Sequence, residues 1–127
     1  MIKSVKTEKA AQPIGPFSQG TVVGNWVFVS GMGGLSPKTG KVVSSDLKEQ
    51  SVQSMENMKA ILAAAGADFN DVVKATVYLT EMADYPVVNE IYARYMGKVL
   101  PARCCVAVKE LPADELMKVE MIAYKER

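Results

Sequence analysis

The sequence predicts an α+β fold in which two helices cover one face of a β-sheet. Runs of β-branched residues alternate with two amphipathic helical patterns, in the order strands, helix, strand, helix, strand, strand. The chain has 127 residues, of which 49% are hydrophobic and 23% are charged. This length and composition support one hydrophobic core. We therefore expect a single domain over residues 1–127, without internal repeats or linkers.

The first two long strands are predicted to form a hairpin. Thr21–Val23 and Trp26–Val29 are β-branched or aromatic runs, and the Gly24-Asn25 dipeptide between them suits the positive φ angles of a two-residue turn. The glycine-rich segment Gly31–Gly34 is predicted to lie outside regular strand, with a backbone that is exposed or closely approached. A tight turn is predicted at Pro37–Gly40.

Two helices and three more strands follow. A helix capped by Ser45 or Asp46 is predicted to end at Gly66, because apolar residues recur along it at three- and four-residue steps. A second helix is predicted over about residues 85–96. The first of the remaining strands is apolar on alternate positions without a solvated face, which predicts a central place in the sheet. These strands are Val72–Leu79, Ala102–Val108 and Met117–Tyr124.

The second face of the predicted sheet needs a cover. Two helices cover only one face, yet the central and C-terminal strands carry apolar or uncharged residues on both. Another copy of the same chain is the most economical cover for such a face. The pattern therefore predicts a homo-oligomer.

The composition argues against several functional classes. The formal net charge is +1, from 15 basic and 14 acidic residues spread along the chain, so no nucleic-acid partner is expected. No apolar run approaches the roughly 20 residues that span a bilayer, and Met1–Ser4 is not followed by the apolar stretch of a signal peptide. A disulfide between the adjacent Cys104 and Cys105 would be strained, which favours free thiols. We expect a cytoplasmic protein that does not bind membranes.

The chain contains no histidine. Catalytic triads of the Ser-His-Asp type and Cys-His pairs are therefore excluded, and the commonest transition-metal ligand is missing. Two neighbouring cysteines without a second pair make a poor zinc or iron–sulfur site, so no metal is expected. Any catalysis must use Arg, Lys, Glu, Asp, Tyr, Cys or an oriented water.

Arg103 is the first candidate for chemistry, because it interrupts an otherwise uncharged strand. Strand alternation places it on the same face as Cys105 and Ala107, and a guanidinium there needs an anionic partner. That partner is either a substrate carboxylate held by two hydrogen bonds or an acidic residue of the chain. Cys105 itself is either a nucleophile or, since no neighbouring residue supplies a base, a small filler of the core.

Glu120 is the second candidate, because a carboxylate is rare inside an apolar strand unless it is paired. It either holds a water as a general base or pairs with Arg103 or Lys118. If the last two strands formed a direct hairpin, Glu120 would face Cys105, but the loop length does not determine that register. Tyr78, Tyr92 and Tyr95 fit packing faces and are assigned no chemistry.

Several sequence blocks resemble the landmarks of the Rid family, also called the YjgF type. The most specific block is Pro101–Val106, which reads PARCCV and is followed at the family's distance by Val119–Met121. Similar blocks occur at Ile14–Gly20, Ser30-Gly31 and Pro37–Gly40. The resemblance covers nearly the whole chain.

The resemblance implies a chorismate-mutase-like α+β fold that assembles as a homotrimer, with the sheets in a central barrel and the active sites in clefts between subunits. Members similar to RidA hydrolyse 2-aminoacrylate, 2-iminopropanoate and 2-iminobutanoate to 2-oxo acids and ammonia. They use no metal or organic cofactor. The implied partners are small 2-imino and 2-oxo acids and further copies of the chain.

Roles for individual residues are also implied by the resemblance. Arg103 would grip the substrate carboxylate, and Glu120 would hold the attacking water together with the backbone near Cys105. At position 17 the family commonly has tyrosine, so a hydroxyl that could touch substrate or water is missing here. A further group of residues is expected to line the cleft around the substrate: Phe17, Ser30, Gly31 and Asn89.

The leading hypothesis is thus a metal-independent 2-iminobutanoate/2-iminopropanoate deaminase. The alternative is a non-catalytic 2-oxo acid-binding or regulatory module, which is favoured by Phe17 and by Met32-Gly33-Gly34, where the family usually has a glutamine, an aliphatic residue and often a proline. A third interpretation is an RNA-cleaving or chaperone-like protein, for which the chain offers neither histidine nor a basic groove.

Overall fold

The structure, a computed structural model, describes all 127 residues. It contains two α-helices and six strands. The strands are β1 (Lys3–Val5), β2 (Gly20–Val23), β3 (Trp26–Gly33), β4 (Val72–Leu79), β5 (Ala102–Ala107) and β6 (Met117–Tyr124). The helices are α1 (Leu47–Ala64) and α2 (Tyr85–Tyr95). The predicted α+β fold is confirmed.

The strands form one mixed sheet in the order β1-β2-β3-β6-β4-β5. Neighbours are antiparallel except β4 and β5, which run parallel. The predicted hairpin of β2 and β3 is confirmed, and β4 lies inside the sheet as predicted. The direct hairpin of the last two strands is wrong, because α2 carries the chain back parallel to β4 and leaves β4 between β5 and β6.

The hydrophobic core lies between the helices and one face of the sheet. Alternate residues of β4 and β6 point into it, and the most completely buried of these, Leu79, Val119 and Ala123, are 0% exposed. From α1, Met58 and Leu62 complete the same cluster. Neither helix is long and apolar enough to cross a membrane.

The ends of α1 follow the predicted signals. The Asp46 side chain accepts a hydrogen bond from the backbone N–H of Glu49 at 2.9 Å, which caps the first turn. Gly66, just beyond the last turn, has φ of +78° and lets the backbone N–H of Ala67 reach the Leu62 carbonyl. The helix therefore stops where the predicted glycine allows the chain to reverse.

The glycine-rich segment departs from the prediction, since β3 continues through Gly33. The strand tolerates the glycines because α1 holds their backbone. Ser54 donates to the Met32 carbonyl, and the Asn57 amide donates to the Gly33 carbonyl at 3.1 Å. The pairing of β3 with β6 shifts register between Val29 and Met32, which marks a β-bulge.

The prediction that this backbone is closely approached is confirmed, but the approach comes from the protein itself. A Cβ on Gly31 would lie 2.8 Å from the Lys118 side chain, and a Cβ on Gly33 would collide with the Glu115 carboxylate. A Cβ on Gly34 would lie 2.6 Å from the Cα of Gln50, in the backbone of α1. Glycine is required at Gly34 because a helix backbone cannot move aside as a side chain can.

The face of the sheet opposite the helices carries no element of this chain. Its large apolar side chains are about two-fifths exposed, with Trp26 at 43%, Phe28 at 42% and Val106 at 40%. Trp26 and Tyr124 meet on this face edge to face, with ring centroids 4.9 Å apart. The apolar character predicted for this second face is confirmed in part, because β4 and β6 also place the charged Lys74, Lys118 and Glu120 on it. Its cover by another copy stays a prediction. We call this surface the open face.

Substitution Gly34→Ala is expected to destabilise the protein by about 1–3 kcal/mol, since the added methyl group overlaps the backbone of α1. Urea unfolding measures the change. Gly15→Ala is the control, because a Cβ there meets only the Phe17 ring at 3.4 Å, an ordinary contact. Equal stabilities for the two variants would contradict the close approach of β3 and α1.

Candidate functional site

Arg103 lies in β5 opposite Ala75 of β4, on the side of the sheet that faces the helices. Its guanidinium nitrogen Nη2 donates to the Tyr85 hydroxyl at 2.9 Å. The guanidinium carbon lies 4.9 Å from the centre of the Tyr92 ring and 5.5 Å from that of Tyr85. Through these contacts α2 holds the guanidinium with a hydrogen bond to a neutral hydroxyl and with two aromatic rings.

Arg103 forms no ion pair within the chain. The interpretation as an intramolecular salt bridge was therefore wrong. The residue borders a cavity of about 350 Å³ together with α2 and the segment before β5. Its walls are Asn89, Tyr92, Ala93, Leu100 and Pro101. An unpaired guanidinium at the edge of an apolar cavity of this size suits a small carboxylate.

Tyr92 is the buried aromatic wall of this cavity. Burial raises the pKa of its hydroxyl, and the nearby Arg103 cation lowers it by less. The hydroxyl stays protonated at neutral pH and is buried without a hydrogen-bond partner. Tyr92 therefore supports Arg103 through its ring face rather than through its hydroxyl.

Glu120 lies in β6 opposite Thr76 of β4, and it projects from the open face. Its Oε1 accepts a hydrogen bond from the Tyr78 hydroxyl at 2.6 Å. The alternative pairings with Arg103 or Lys118 were wrong, because Arg103 lies on the other side of the sheet and Lys118 pairs with Glu115. Glu120 is thus a half-buried carboxylate without a cationic partner in the chain.

Ser30 and Gly31 lie beside Glu120. Val29 pairs with Met121, and Met32 pairs with Val119. The two residues between them on β3, Ser30 and Gly31, therefore lie opposite the single residue Glu120 on β6, as in a β-bulge. The Ser30 hydroxyl donates to the Ser18 carbonyl at 2.6 Å, which ties the segment before β2 to the bulge. The structure therefore brings together three of the predicted site residues on the open face.

Cys105 is placed apart from Glu120. Cys105 lies opposite Val77 on the helix side of the sheet, where it packs against the core, so it does not face Glu120. Burial raises the pKa of the Cys105 thiol, Arg103 lowers it by less, and Cys104 raises it slightly. Phe17 is 49% exposed. The predicted residues therefore form two groups in one chain, Arg103 with Asn89 and Glu120 with Ser30 and Gly31.

Tyr78 and Tyr85 are the functional candidates that the sequence did not reveal. The Tyr78 hydroxyl donates a hydrogen bond to Glu120 at 2.6 Å, and the Tyr85 hydroxyl accepts one from Arg103 at 2.9 Å. Their contacts depend on strand register and on how α2 packs, which the local pattern does not determine. The structure contains no group of three or more His, Cys, Asp or Glu side chains arranged to hold a metal ion.

The buried Glu115 carboxylate holds the ammonium group of Lys118 in place. Its side chain is 3% exposed, its Oε1 lies 3.2 Å from Lys118 Nζ, and its Oε2 has no hydrogen-bond partner. Ala113 and Asp114, just before it, have φ of 57° and 61°, in the left-handed region that L residues rarely occupy. A strained loop thus presents a buried carboxylate that holds Lys118 over Gly31.

The fold and the site together define a class of protein. These are small α+β proteins with two helices on one six-stranded sheet, an arginine pocket beside the second helix and an acidic residue on the open face. The family model described as Endoribonuclease L-PSP matches residues 7–125. The chain belongs to this family, which is the Rid or YjgF family that the sequence resembles.

Similar proteins include some that are named as deaminases. A RutC family protein from Pyrococcus horikoshii is 50% identical over 99% of this chain and 100% of its own. The mouse 2-iminobutanoate/2-iminopropanoate deaminase is 43% identical over 97% of this chain and 91% of its own. The crystal structure of Escherichia coli TdcF with bound serine superposes with a TM-score of 0.92, at 37% identity over 98% of this chain and 99% of that one.

Substitution Glu115→Gln is expected to change how stability depends on pH. Burial raises the pKa of the Glu115 carboxyl, and the charge and hydrogen bond of Lys118 lower it by less. A raised pKa in the folded state adds stability that is fully present below the unfolded pKa and is lost as pH rises through the folded pKa. The wild type should therefore lose stability relative to Glu115→Gln as pH rises.

Urea unfolding of both proteins between about pH 4 and about pH 8 measures this difference. Glu110→Gln, at an exposed position, controls for the loss of one carboxylate. A wild type that gains stability over Glu115→Gln as pH rises would contradict the burial of this group.

Proposed function

We propose that the protein hydrolyses reactive 2-imino acids to 2-oxo acids and ammonia. The intended substrates are 2-iminopropanoate, its enamine tautomer 2-aminoacrylate, and 2-iminobutanoate. The observation that carries the proposal is the Arg103 guanidinium, which lacks an acidic partner and borders a cavity of about 350 Å³. Membership of a family that includes a 43% identical deaminase supports this substrate class.

The ligand of the related TdcF structure supports a small substrate with an α-carboxylate. Serine is a small amino acid with an α-carboxylate, and 2-imino acids carry the carboxylate in the same place. A guanidinium binds such a group through two parallel hydrogen bonds, which orients the adjacent carbon as well as binding it. Arg103 would thus fix both the position and the orientation of the imine.

Glu120 would act as the general base that activates the attacking water. In the proposed step, a water held by the carboxylate adds to the imine carbon, and a C–O bond forms as the C=N π pair moves to nitrogen. Glu120 accepts the proton that the water loses and passes it to the imine nitrogen, which gives a tetrahedral carbinolamine. The C–N bond of the carbinolamine then breaks as its hydroxyl proton is transferred to the amino group, so that ammonia leaves and the 2-oxo acid remains. Because the imine carbon is already electrophilic, the reaction needs only a positioned water and an arginine that binds the substrate carboxylate.

A site that uses both Arg103 and Glu120 needs more than one copy of the chain, because the two side chains project from opposite faces of one sheet. In the proposed homotrimer, Arg103 of one subunit meets Glu120 of a neighbour in a cleft between them. The apolar residues of the open face support this assembly, since burial against another subunit would remove them from water. Size-exclusion chromatography with light scattering tests the assembly directly.

We assign the protein to the cytoplasm. Cys104 and Cys105 are free, and they project from opposite faces of β5, so they cannot bridge each other. Two free thiols support a reducing compartment.

Substitutions Arg103→Lys and Glu120→Gln are each expected to lower kcat/KM for 2-iminobutanoate by about 10- to 100-fold. Lysine offers a point charge without the planar fork, and glutamine cannot accept the proton of the water. Imine decay is followed after a threonine dehydratase has generated the substrate. Arg94→Lys is the control, since Arg94 is 61% exposed and pairs only with Glu90.

The same assay decides between the enzyme and the alternative function. A wild type that leaves imine decay unchanged but binds 2-oxobutanoate in an Arg103-dependent way would overturn the deaminase and select the non-catalytic binding module. Binding is measured by calorimetry with 2-oxobutanoate, which resembles the product and cannot turn over.

Mixing two inactive variants tests the shared site. When Arg103→Ala and Glu120→Ala chains are co-expressed, about a quarter of the interfaces in a random oligomer join an intact Arg103 to an intact Glu120. We expect activity to return to about that fraction of wild type. Each variant co-expressed with itself is the control, and mixtures as inactive as these controls would contradict a site made by two subunits.

A further inference from the structure

We propose that Tyr78 is a positioning residue for Glu120. Its hydroxyl fixes Oε1 of the carboxylate, and Oε2 is thereby left in a defined place to hold the attacking water. This inference rests on the proposed deaminase function and adds to it a residue that acts through Glu120. Three features of the structure support it: the register of the sheet, the hydrogen bonds of the two residues and the contacts of the neighbouring lysines.

The register brings the two side chains together. Tyr78 of β4 pairs with Lys118 of β6, and Thr76 pairs with Glu120, so Tyr78 and Glu120 are diagonal neighbours on the open face. The phenol reaches past its direct partner and donates to Oε1 at 2.6 Å. A hydrogen bond of this length to a charged acceptor belongs to the strong class.

Glu120 has no competing donor in the chain. Two lysines lie on the same face. Lys118 is held at 3.2 Å from Oε1 of the buried Glu115, and Lys74, which pairs with Ile122, forms no ion pair with Glu120. The hydrogen bond from Tyr78 is the one that the Glu120 side chain makes within the chain. One carboxylate oxygen is therefore occupied and oriented, and the other remains available as an acceptor.

Tyr78 acts as a donor and not as a base. Its hydrogen bond to Glu120 raises the pKa of the phenol, and burial and the charges of Glu120 and Cys104 raise it further. The hydroxyl therefore keeps its proton at neutral pH.

Two kinetic effects follow if the hydroxyl is removed. The carboxylate loses its fixed orientation, which lowers kcat. Its ionised form loses a hydrogen-bond donor, so the acidic limb of the pH–rate profile should move to higher pH. Binding of the substrate carboxylate should change little, because Arg103 lies on the other side of the sheet. A purely structural role for Tyr78 would not move the acidic limb.

The test compares Tyr78→Phe with the wild type in the dehydratase-coupled assay across pH, using the oligomer as it is isolated. We expect kcat to fall about 10-fold, KM to change less than about twofold, and the acidic limb to shift upward. Tyr124→Phe is the matched control, since Tyr124 also lies on the open face but its hydroxyl contacts Asn25. Phenylalanine keeps the ring, so folding is checked by the oligomer mass and by unfolding.

A double variant separates positioning from other effects. Tyr78→Phe should cause no further loss when added to Glu120→Gln, because the hydroxyl acts through the carboxylate. An active, Arg103-dependent wild type with an unshifted pH profile in Tyr78→Phe would overturn the role of Tyr78 alone. Additive losses in the double variant would overturn it as well. A wild type that does not accelerate imine decay would overturn the deaminase proposal and this inference with it.

Discussion

The alternation of side chains across the β5–β4–β6 ladder is the constraint on which the rest of this structure depends. Ala75 pairs with Arg103 on one side and Met121 on the other, whereas Thr76 pairs with Cys104 and Glu120. Successive strand residues project from opposite faces, so the pairings assign Arg103 to the helix side and Glu120 to the open face. A slip of one residue would expose the buried core residues of β4 and β6, which makes the register costly to change.

This constraint explains how the predicted chemistry is divided. The helix side gives Arg103 aromatic neighbours and a cavity, and the open face gives Glu120 a phenol and the bulge of β3. Lys118 on the same face is held by the buried Glu115, and no ion pair neutralises the Glu120 carboxylate. Under the proposed function, a single chain therefore carries two half sites. Their separation is the structural reason to expect that function requires an assembly.

Much of this fold could be predicted from the sequence. The bounds of β4 and β6 follow from hydrophobic alternation, and the ends of α1 follow from a capping aspartate and a glycine. The order of the last three strands could not be predicted, because loop length alone does not determine which strands pair. The extension of β3 through Gly33 depends on hydrogen bonds from α1, whose residues lie more than twenty positions away in the chain. The contacts of Tyr78 depend on that tertiary register too.

The two tyrosine hydroxyls suggest why neutral partners suit these charges. A salt bridge would hold Arg103 or Glu120 in place, but it would also neutralise the charge that the proposed function needs to bind a carboxylate or to accept a proton. A phenol holds the same group through one hydrogen bond and leaves its net charge intact, as the contacts of Tyr85 and Tyr78 do. Phe17 carries no hydroxyl. The hydroxyls that contact Arg103 and Glu120 come instead from Tyr85 of α2 and Tyr78 of β4. In the proposed site, Arg103 and Glu120 are thus held by residues of a helix and a strand.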